Sequence, residues 1–324
     1  MKKKIALITG ASGYLGKQLT KELHNAGWMT LGLDRRNILS ERELTIEKIH
    51  RERNNYLDFV FYGDIRNPGI YNQIFDKFKV DVVFHLASRI EAGISFKEPT
   101  EFYSINTGGT TLLLNAMSKA GVKNIIFSSS AAVYMAKDTP ISEDDPKVNN
   151  SPYGFSKLCA EEAIKDSQLN YAIFRYFNLA GADEDMGENH NPETHVIPLI
   201  LTSDNFTVYG RDFNTPDGTC IRDYVHVKDV ARAHITAAEK LLEGEPNMIL
   251  NLGSGEGHSI LDLISVVQAH VKEIRFKNGD RREGDPSSLV ADITKAKEVL
   301  NYKPLYNIVD IIKSAYRWHF PDGR

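Results

Sequence analysis

Tyr153 and Lys157 stand four positions apart in Tyr153-Gly154-Phe155-Ser156-Lys157, a separation that brings two side chains onto one face of a helix. A phenol titrates near ~10 and is a poor base at neutral pH unless a neighbouring cation favours the phenolate. Lys157 offers that cation, so the pair has the chemistry of a general base. Ser128-Ser129-Ser130 follows a strand predicted over Asn124–Phe127, and hydroxyls at such a strand end face the crevice where open α/β sheets bind ligands. The tyrosine and lysine spacing also occurs on ordinary surfaces, so the elements around it must decide.

Those elements alternate. Lys4–Thr9 suits a buried strand, Gly10–Gly16 a tight loop, Lys17–Ala26 a helix stopped by Gly27, and Met29–Leu33 a second strand. The turn of this βαβ unit is Gly10-Ala11-Ser12-Gly13-Tyr14-Leu15-Gly16, with glycines where a pyrophosphate approaches the backbone at a helix N-terminus. Asp34, directly after the second strand, has the place of a carboxylate that accepts from a ribose diol and repels a 2′-phosphate, which favours NAD. Arg35 and Arg36 beside it have the chemistry to hold the extra phosphate of NADP.

Glu41–Arg53, dense in both signs of charge, predicts a surface helix without chemistry. Phe59–Tyr62 predicts a strand before Gly63-Asp64-Ile65, where an acid and an apolar side chain could bracket an adenine. Val80–Leu86 predicts another, ending in Leu86-Ala87-Ser88, small enough for a cofactor to pass closely. His85 is expected to be packed rather than catalytic. Thr100–Lys119 predicts one long helix closed by Gly121, with Asn106 capping, solvated or turned toward the site. A helix over Tyr153–Asp166 starts after Asn149–Pro152, and Tyr171–Tyr176 forms a further strand.

With 324 residues, 42% hydrophobic and 25% charged, the chain can bury a large core and folds as a globular protein. A net charge of -4 gives no reason to expect nucleic acid or an anionic membrane as partner. Two cysteines, Cys159 and Cys220, make no disulfide framework and no zinc-like spacing, which points to a reducing cytoplasm. The apolar run Ile5–Ile8 is too short for a signal peptide.

The ordered set of GxxGxxG, the acid after the second strand, Gly-Asp-Ile, Ser-Ser-Ser and YxxxK resembles the extended short-chain dehydrogenase/reductase family, most of all its UDP-hexose 4-epimerases. Arg175-Tyr176-Phe177-Asn178, Pro192–His195, Asn214–Thr219, Ile221–His226 and Arg281–Asp285 add to the likeness, which covers nearly the whole chain. It implies a Rossmann-type, doubly wound parallel α/β sheet with a smaller C-terminal α/β lobe. The cofactor domain would be residues 1–178 with 225–251 returning to it, the substrate lobe 179–224 and 252–324, and the substrate would lie between them. Ser130, Tyr153 and Lys157 would be catalytic, with Tyr153 taking the sugar 4-hydroxyl proton, Ser130 orienting that hydroxyl and Lys157 holding the cofactor ribose.

By the same resemblance NAD would be held by Gly10, Gly13, Tyr14, Leu15, Gly16, Asp34, Asp64, Ile65, Leu86, Ala87, Ser88, Asn106, Ser128 and Tyr176, together with Tyr153 and Lys157. A UDP-sugar substrate would meet Asn178, His195, Val196, Thr207, Tyr209, Arg222, Tyr224, Arg282, Asp285 and Leu289, besides Ser130 and Tyr153. Within that set Arg222 and Arg282 would pair with the phosphates, Asp285 with the uridine ribose and Tyr209 with the uracil. No metal is expected. The resemblance also implies a homodimer through the helices around 100–119 and 154–167.

Four positions depart from the family pattern. Ile90, with Arg89 before it, stands where a lysine near the nicotinamide is common. Val133-Tyr134-Met135 replaces Val-Tyr-Gly. His195 replaces an asparagine and still offers a hydrogen-bond donor. Leu289 is intermediate between the bulky and the small residues that exclude or admit N-acetylated sugars, so it leaves that specificity open. The dehydratase alternative fails because Ser128-Ser129-Ser130 lacks the acid that water elimination needs. A C4-epimerase for another UDP-sugar stays open, and a cofactor sensor that has lost its chemistry would not be expected to keep Ser130, Tyr153 and Lys157.

Overall fold

The computed structural model describes residues 3–35, 56–184, 186–190, 193–282 and 284–321. The helix expected over Glu41–Arg53, and Arg36, lie outside the described residues. Among those described, seven strands form the main sheet: β1 (Ile5–Thr9), β2 (Met29–Asp34), β3 (Phe59–Tyr62), β4 (Val82–His85), β5 (Asn124–Ser130), β6 (Asn170–Tyr176) and β12 (Met248–Leu252). Their order is β12-β6-β5-β4-β1-β2-β3. The registers of β1 with β2 and β4, β2 with β3, and β4 with β5 are all parallel. The order reverses direction at β1 and β4, the kind of switch point at which such sheets bind ligands beyond the strands' C-terminal ends. This is the doubly wound α/β fold that the glycine turn and alternating elements imply.

Chain contacts divide the protein into two compact units. The first is 1–133, 148–175 and 231–249. Its core joins the strand interiors Leu7, Leu31, Leu33, Val83, Ile125 and Phe127 to the helix residues Leu113, Met117, Ala160 and Ile164. The second unit is 134–147, 176–230 and 250–324. There β7 (Asn178–Ala180) pairs in parallel with β11 (Ile221–His226), which also pairs with β13 (Gly257–Ser259) and β15 (Ser288–Leu289). A separate parallel pair joins β10 (Phe206–Tyr209) to β14 (Phe276–Gly279). Its core includes Ile200, Leu201, Val208, Leu263 and Ile312 from these elements.

Two helices differ from their sequence expectation. The first begins at Tyr14 rather than Lys17, so Gly16 lies in its first turn although glycine is a poor helix former. The segment expected as one helix over Thr100–Lys119 is a turn at Pro99–Phe102, a π-helix at Tyr103–Gly109 and an α-helix at Thr110–Ala120 closed by left-handed Gly121. Such π segments are rare and concentrate at functional sites. No described helix is long and apolar enough to cross a membrane.

Candidate active site

The helix carrying Tyr153 and Lys157 runs over Pro152–Asp166. Ser151 caps it by accepting the Gly154 N–H at 3.0 Å, and Pro152 takes the first turn, where a missing N–H costs nothing. Gly154 lets this turn seat against the residues after β5, because a Cβ there would lie 2.3 Å from the Ala132 carbonyl oxygen. Tyr153 is thereby brought to the neighbourhood of Ser130, which acts on the titration of its phenol. Ser130 Oγ in turn accepts from Ala132 N at 3.2 Å. Burial pushes the Tyr153 phenol above its ordinary value, Ser130 draws it back, and the charge of Glu91 adds to the rise.

Lys157 lies on the same helix and is also buried, but its Nζ donates to the Ser128 carbonyl at 2.7 Å. Burial lowers its pKa to about 7, with Glu161 opposing the fall. The cation expected to act on the phenol is thus directed at the end of β5 and is itself poised to lose its proton. Beneath it, the Glu161 carboxylate pairs with Arg175 at 2.6 Å and accepts from Ser129 Oγ. His85 is packed, as its setting suggested: its ring bonds Thr9 Oγ1 at 2.7 Å and Thr110 Oγ1 at 2.9 Å, and burial, then Lys157, lower its pKa to about 3.

The glycine turn has the shape that a dinucleotide needs. Gly10 takes φ +74°, and a Cβ on it would lie 2.9 Å from Ala87 N, at the end of β4. A Cβ on Gly16 would lie 2.1 Å from the Gly10 carbonyl oxygen. Leu86 N and Ala87 N bond to the carbonyl and hydroxyl oxygens of Thr9, at 3.2 Å each, so the ends of β1 and β4 form one rim. Asp34 ends β2 and accepts the Ser12 N–H at 3.0 Å. The Ser12 hydroxyl is buried with no hydrogen-bond partner among the described residues, an orphaned donor inside the cradle that a phosphate or ribose oxygen would satisfy. These residues fit NAD.

Three residues expected to meet the cofactor also have partners within the chain. The Asp64 carboxylate is held by its neighbour Arg66, at 2.9 Å to Nε and 2.7 Å to Nη2, and Arg66 draws its pKa down. Ile65 is buried in the core, where it packs against Gly109. Asn106, within the π-helix, accepts from Arg89 N at 2.8 Å and donates to Arg89 O at 3.0 Å and to Ser156 Oγ at 2.9 Å. Its amide thus ties Arg89, before Ile90, to the helix that carries Tyr153. Arg89 pairs with Glu91 and Glu98, each at 3.3 Å, and lies over the Phe102 ring, which meets Tyr153 edge to face. Ile90 is exposed. Ser88 follows β4 by three residues, Ser128 lies two residues before the end of β5, Tyr176 ends β6, and Tyr14 and Leu15 open the first helix.

In the second unit the expected substrate residues fall into three places. On β11 and its neighbours, Arg222 stands in register with Leu289, its Nη2 is 3.6 Å from Asp285, and its Nη1 donates to the carbonyls of Ile221 and Pro286. Tyr224 is buried opposite Asn178, whose amide donates to the Asp223 carbonyl at 3.0 Å. On β10, Thr207 and Tyr209 lie on one strand, and the Arg282 guanidinium stacks 4.1 Å from the exposed Tyr209 ring. His195 and Val196 lie at the start of the helix Val196–Thr202, where Val196 packs against the core that holds Tyr224 and Val208.

There the structure adds a group for which the sequence reading assigned no metal chemistry. Ligand atoms of Glu188, His190 and His195 lie within 4.8 Å of one another. His195 Nδ1 is 2.7 Å from Glu193 Oε1 and 3.1 Å from Glu188 Oε1. Burial, reinforced by the charge of Glu193, holds the Glu188 carboxyl well above the usual range. The available signal was Glu188-x-His190-x4-His195, a short run of donor side chains.

Residues 6–253 match the model of the NAD dependent epimerase/dehydratase family. The chain belongs to that family. Among its relatives, a UDP-glucose 4-epimerase of Lacticaseibacillus casei is 39% identical over 98% of this chain and 97% of its own length. A solved UDP-glucose 4-epimerase from Stenotrophomonas maltophila with bound NAD and formylated UDP-arabinopyranose is 32% identical, with a TM-score of 0.91 over 100% of this chain and 99% of that one. Another from Bifidobacterium longum, in complex with NAD+ and UDP, is 32% identical with a TM-score of 0.86, over 99% of this chain and 100% of that one. The chain is therefore an NAD-dependent epimerase of that family.

Proposed function

We propose that the chain catalyses the reversible epimerisation of a UDP-hexose at C4, interconverting UDP-glucose and UDP-galactose through a transient 4-keto sugar. The observation that carries this reading is the placement of buried Tyr153 and Lys157 on one helix against the end of β5, where Lys157 Nζ donates to the Ser128 carbonyl at 2.7 Å, one strand away from the rim formed by β1 and β4. The chemistry that NAD supplies when bound is acceptance of the C4 hydride and its return to the other face of the sugar. Tyr153 removes the 4-hydroxyl proton and gives it back, so the reaction needs no net oxidant. Ser130 orients that hydroxyl. Lys157 bridges the helix to the Ser128 carbonyl and presents its ammonium to the cofactor ribose.

The first unit carries the cofactor and the proton chemistry, with Gly10, Gly13 and Gly16 admitting the pyrophosphate and Asp34 taking the adenosine ribose. Residues of the second unit hold the nucleotide: Arg222 and Arg282 pair with the diphosphate, Asp285 with the uridine ribose, Tyr209 with the uracil, and Asn178, His195, Val196, Thr207, Tyr224 and Leu289 complete the set. Two arginines already set against Asp285 and Tyr209 support this, because a planar guanidinium pre-oriented by a neighbour loses little freedom on taking a phosphate.

The same reading gives a cytoplasmic homodimer. Cys159 and Cys220 are both free thiols. The segments Tyr103–Gly109 and Pro152–Asp166 carry the half-buried Tyr103 and Phe155, whose rings meet at 6.3 Å, apolar surface suited to a second copy. Light scattering on the purified protein checks this, and a monomer at micromolar concentration refutes it.

A second reading, a C4-epimerase for another UDP-sugar, is favoured by the UDP-pentose derivative bound to the S. maltophila relative and by the intermediate size of Leu289 beside Arg222. Both are tested together. Purified protein is given UDP-galactose without added cofactor, and UDP-glucose is followed with a coupled dehydrogenase. Turnover is expected, and its absence sinks the main proposal. Parallel arms with UDP-xylose and UDP-N-acetylgalactosamine decide between the two substrates classes.

A further inference from the structure

We infer that Glu188, His190 and His195 form a binding site for a single zinc-type divalent cation in the second unit. The proposal goes beyond the epimerase reading and does not depend on it. Its basis is convergence: the Nδ1 atoms of His190 and His195 lie 3.6 Å and 3.1 Å from the same carboxylate oxygen, Glu188 Oε1. Nitrogen and oxygen ligands bound at about 2.1 Å in a tetrahedron stand about 3.4 Å apart along its edges. The two measured separations straddle that value, and all three ligand atoms fit within 4.8 Å. Small side-chain rotations would complete the geometry.

The donors are held in place by the chain around them. A Cβ on Gly187 would lie 2.4 Å from the Trp318 ring, so the strand is pressed against the C-terminal helix there, and Trp318 Nε1 donates to Glu188 O at 3.1 Å. Glu188 is thus fixed from its backbone and buried at its carboxylate. His195 is fixed as the residue preceding the helix Val196–Thr202. Glu193 accepts the backbone N–H groups of Thr194 and His195 at 2.8 Å each, and the same oxygen bonds His195 Nδ1 at 2.7 Å, a proton-bearing contact that a bound ion would replace.

Charge and donor type select the ion. Glu188 and Glu193 together neutralise a divalent cation, which offsets the unfavourable positive end of the short helix that follows. Two imidazoles and one carboxylate suit zinc and its first-row neighbours, whereas magnesium and calcium prefer oxygen throughout. Two imidazoles and one carboxylate is also a three-ligand set that leaves a fourth position for water. Bound there, the ion ties the segment after β9 (Met186–Gly187) to the start of the Val196–Thr202 helix and so fixes the orientation of His195.

The test is a zinc titration of chelator-treated full-length protein against a competing chromophoric chelator, with cobalt absorption as a second probe. One zinc per chain is expected, with a tetrahedral cobalt spectrum and a higher melting temperature in zinc. Glu188→Gln and His190→Gln should each weaken zinc binding at least about 10-fold and abolish the melting shift, while both proteins retain bound NAD. Because Glu188 is buried and its variant could misfold, the less buried His190 supplies the decisive arm. Zinc well below one per chain in the wild type overturns the proposal, as does a His190→Gln protein that binds zinc as tightly as the wild type.

Discussion

Lys157 Nζ donates to the main-chain carbonyl of Ser128 at 2.7 Å, inside the first unit and out of contact with water. Burial lowers this lysine to about 7, against an ordinary value of ~10.4 in the unfolded chain. Below the folded value both states hold the proton, and the penalty for burying it is fully present. Between about 7 and ~10.4 the unfolded state binds more protons than the folded one, so stability rises with pH across that window. Urea unfolding of nucleotide-free protein at roughly pH 7, 8 and 9.5, steps along this window, should show midpoints climbing. Lys157→Met should flatten the climb, and parallel pH profiles for the two proteins would refute the assignment.

Asn106 gives a prediction about positioning. Its amide satisfies both backbone groups of Arg89 and the Ser156 hydroxyl. Replacement by leucine keeps the volume and strands three polar partners, each costing about 1–3 kcal/mol if it stays buried. Asn106→Leu should therefore destabilise by about 2 kcal/mol or more and lower kcat through a misplaced loop, with less effect on KM for the UDP-sugar. A variant with unchanged melting temperature and kcat would show that the clamp is dispensable.

Gly16 is a steric prediction. A Cβ there meets the Gly10 carbonyl oxygen at 2.1 Å, a backbone atom that cannot swing aside as a side chain can. Gly16→Ala must push the helix away from the turn, at a cost of about 1–3 kcal/mol for overpacking, and open the cradle around Ser12. Purified Gly16→Ala should carry less nucleotide than the wild type, read from the absorbance released on denaturation. Full occupancy would mean that the turn is more plastic than its contacts suggest.

The alternation of strands and helices, the glycine turn, Asp34 and the Tyr153 to Lys157 face were all legible in the sequence, because each follows from local periodicity or a short spacing. What escaped depends on partners distant along the chain. Gly16 looks like loop by propensity, yet close approach to Gly10 puts it in a helix. The π-helix at Tyr103–Gly109 has the same apolar spacing as an α-helix, and only its packing against the Tyr153 helix distinguishes it. Asp64 was read by its place after a strand, while Arg66, two residues on, occupies its carboxylate. Glu188, His190 and His195 are close in sequence, but their convergence depends on how Trp318, from the last helix, holds Glu188.

The buried pair Glu161 and Arg175 connects the architecture to the site most directly. The two side chains are 0% and 1% exposed, 2.6 Å apart, and Glu161 also accepts from Ser129 in the serine run. Removing one charge leaves the other buried without a counter-ion, which costs about 3–5 kcal/mol. Glu161→Gln should therefore lower the urea midpoint strongly. It should also lower the Lys157 pKa further, because Glu161 is the charge that opposes the burial effect there. Replacing both partners with apolar residues, Glu161→Leu with Arg175→Met, removes the uncompensated charge and should recover at least half of the lost stability. The double variant should nevertheless keep the lowered Lys157 pKa, since the carboxylate is still gone. Stability and the pH dependence of turnover are thus expected to separate between the single and double variants, and a double variant no more stable than Glu161→Gln would show that the pair contributes shape rather than charge balance.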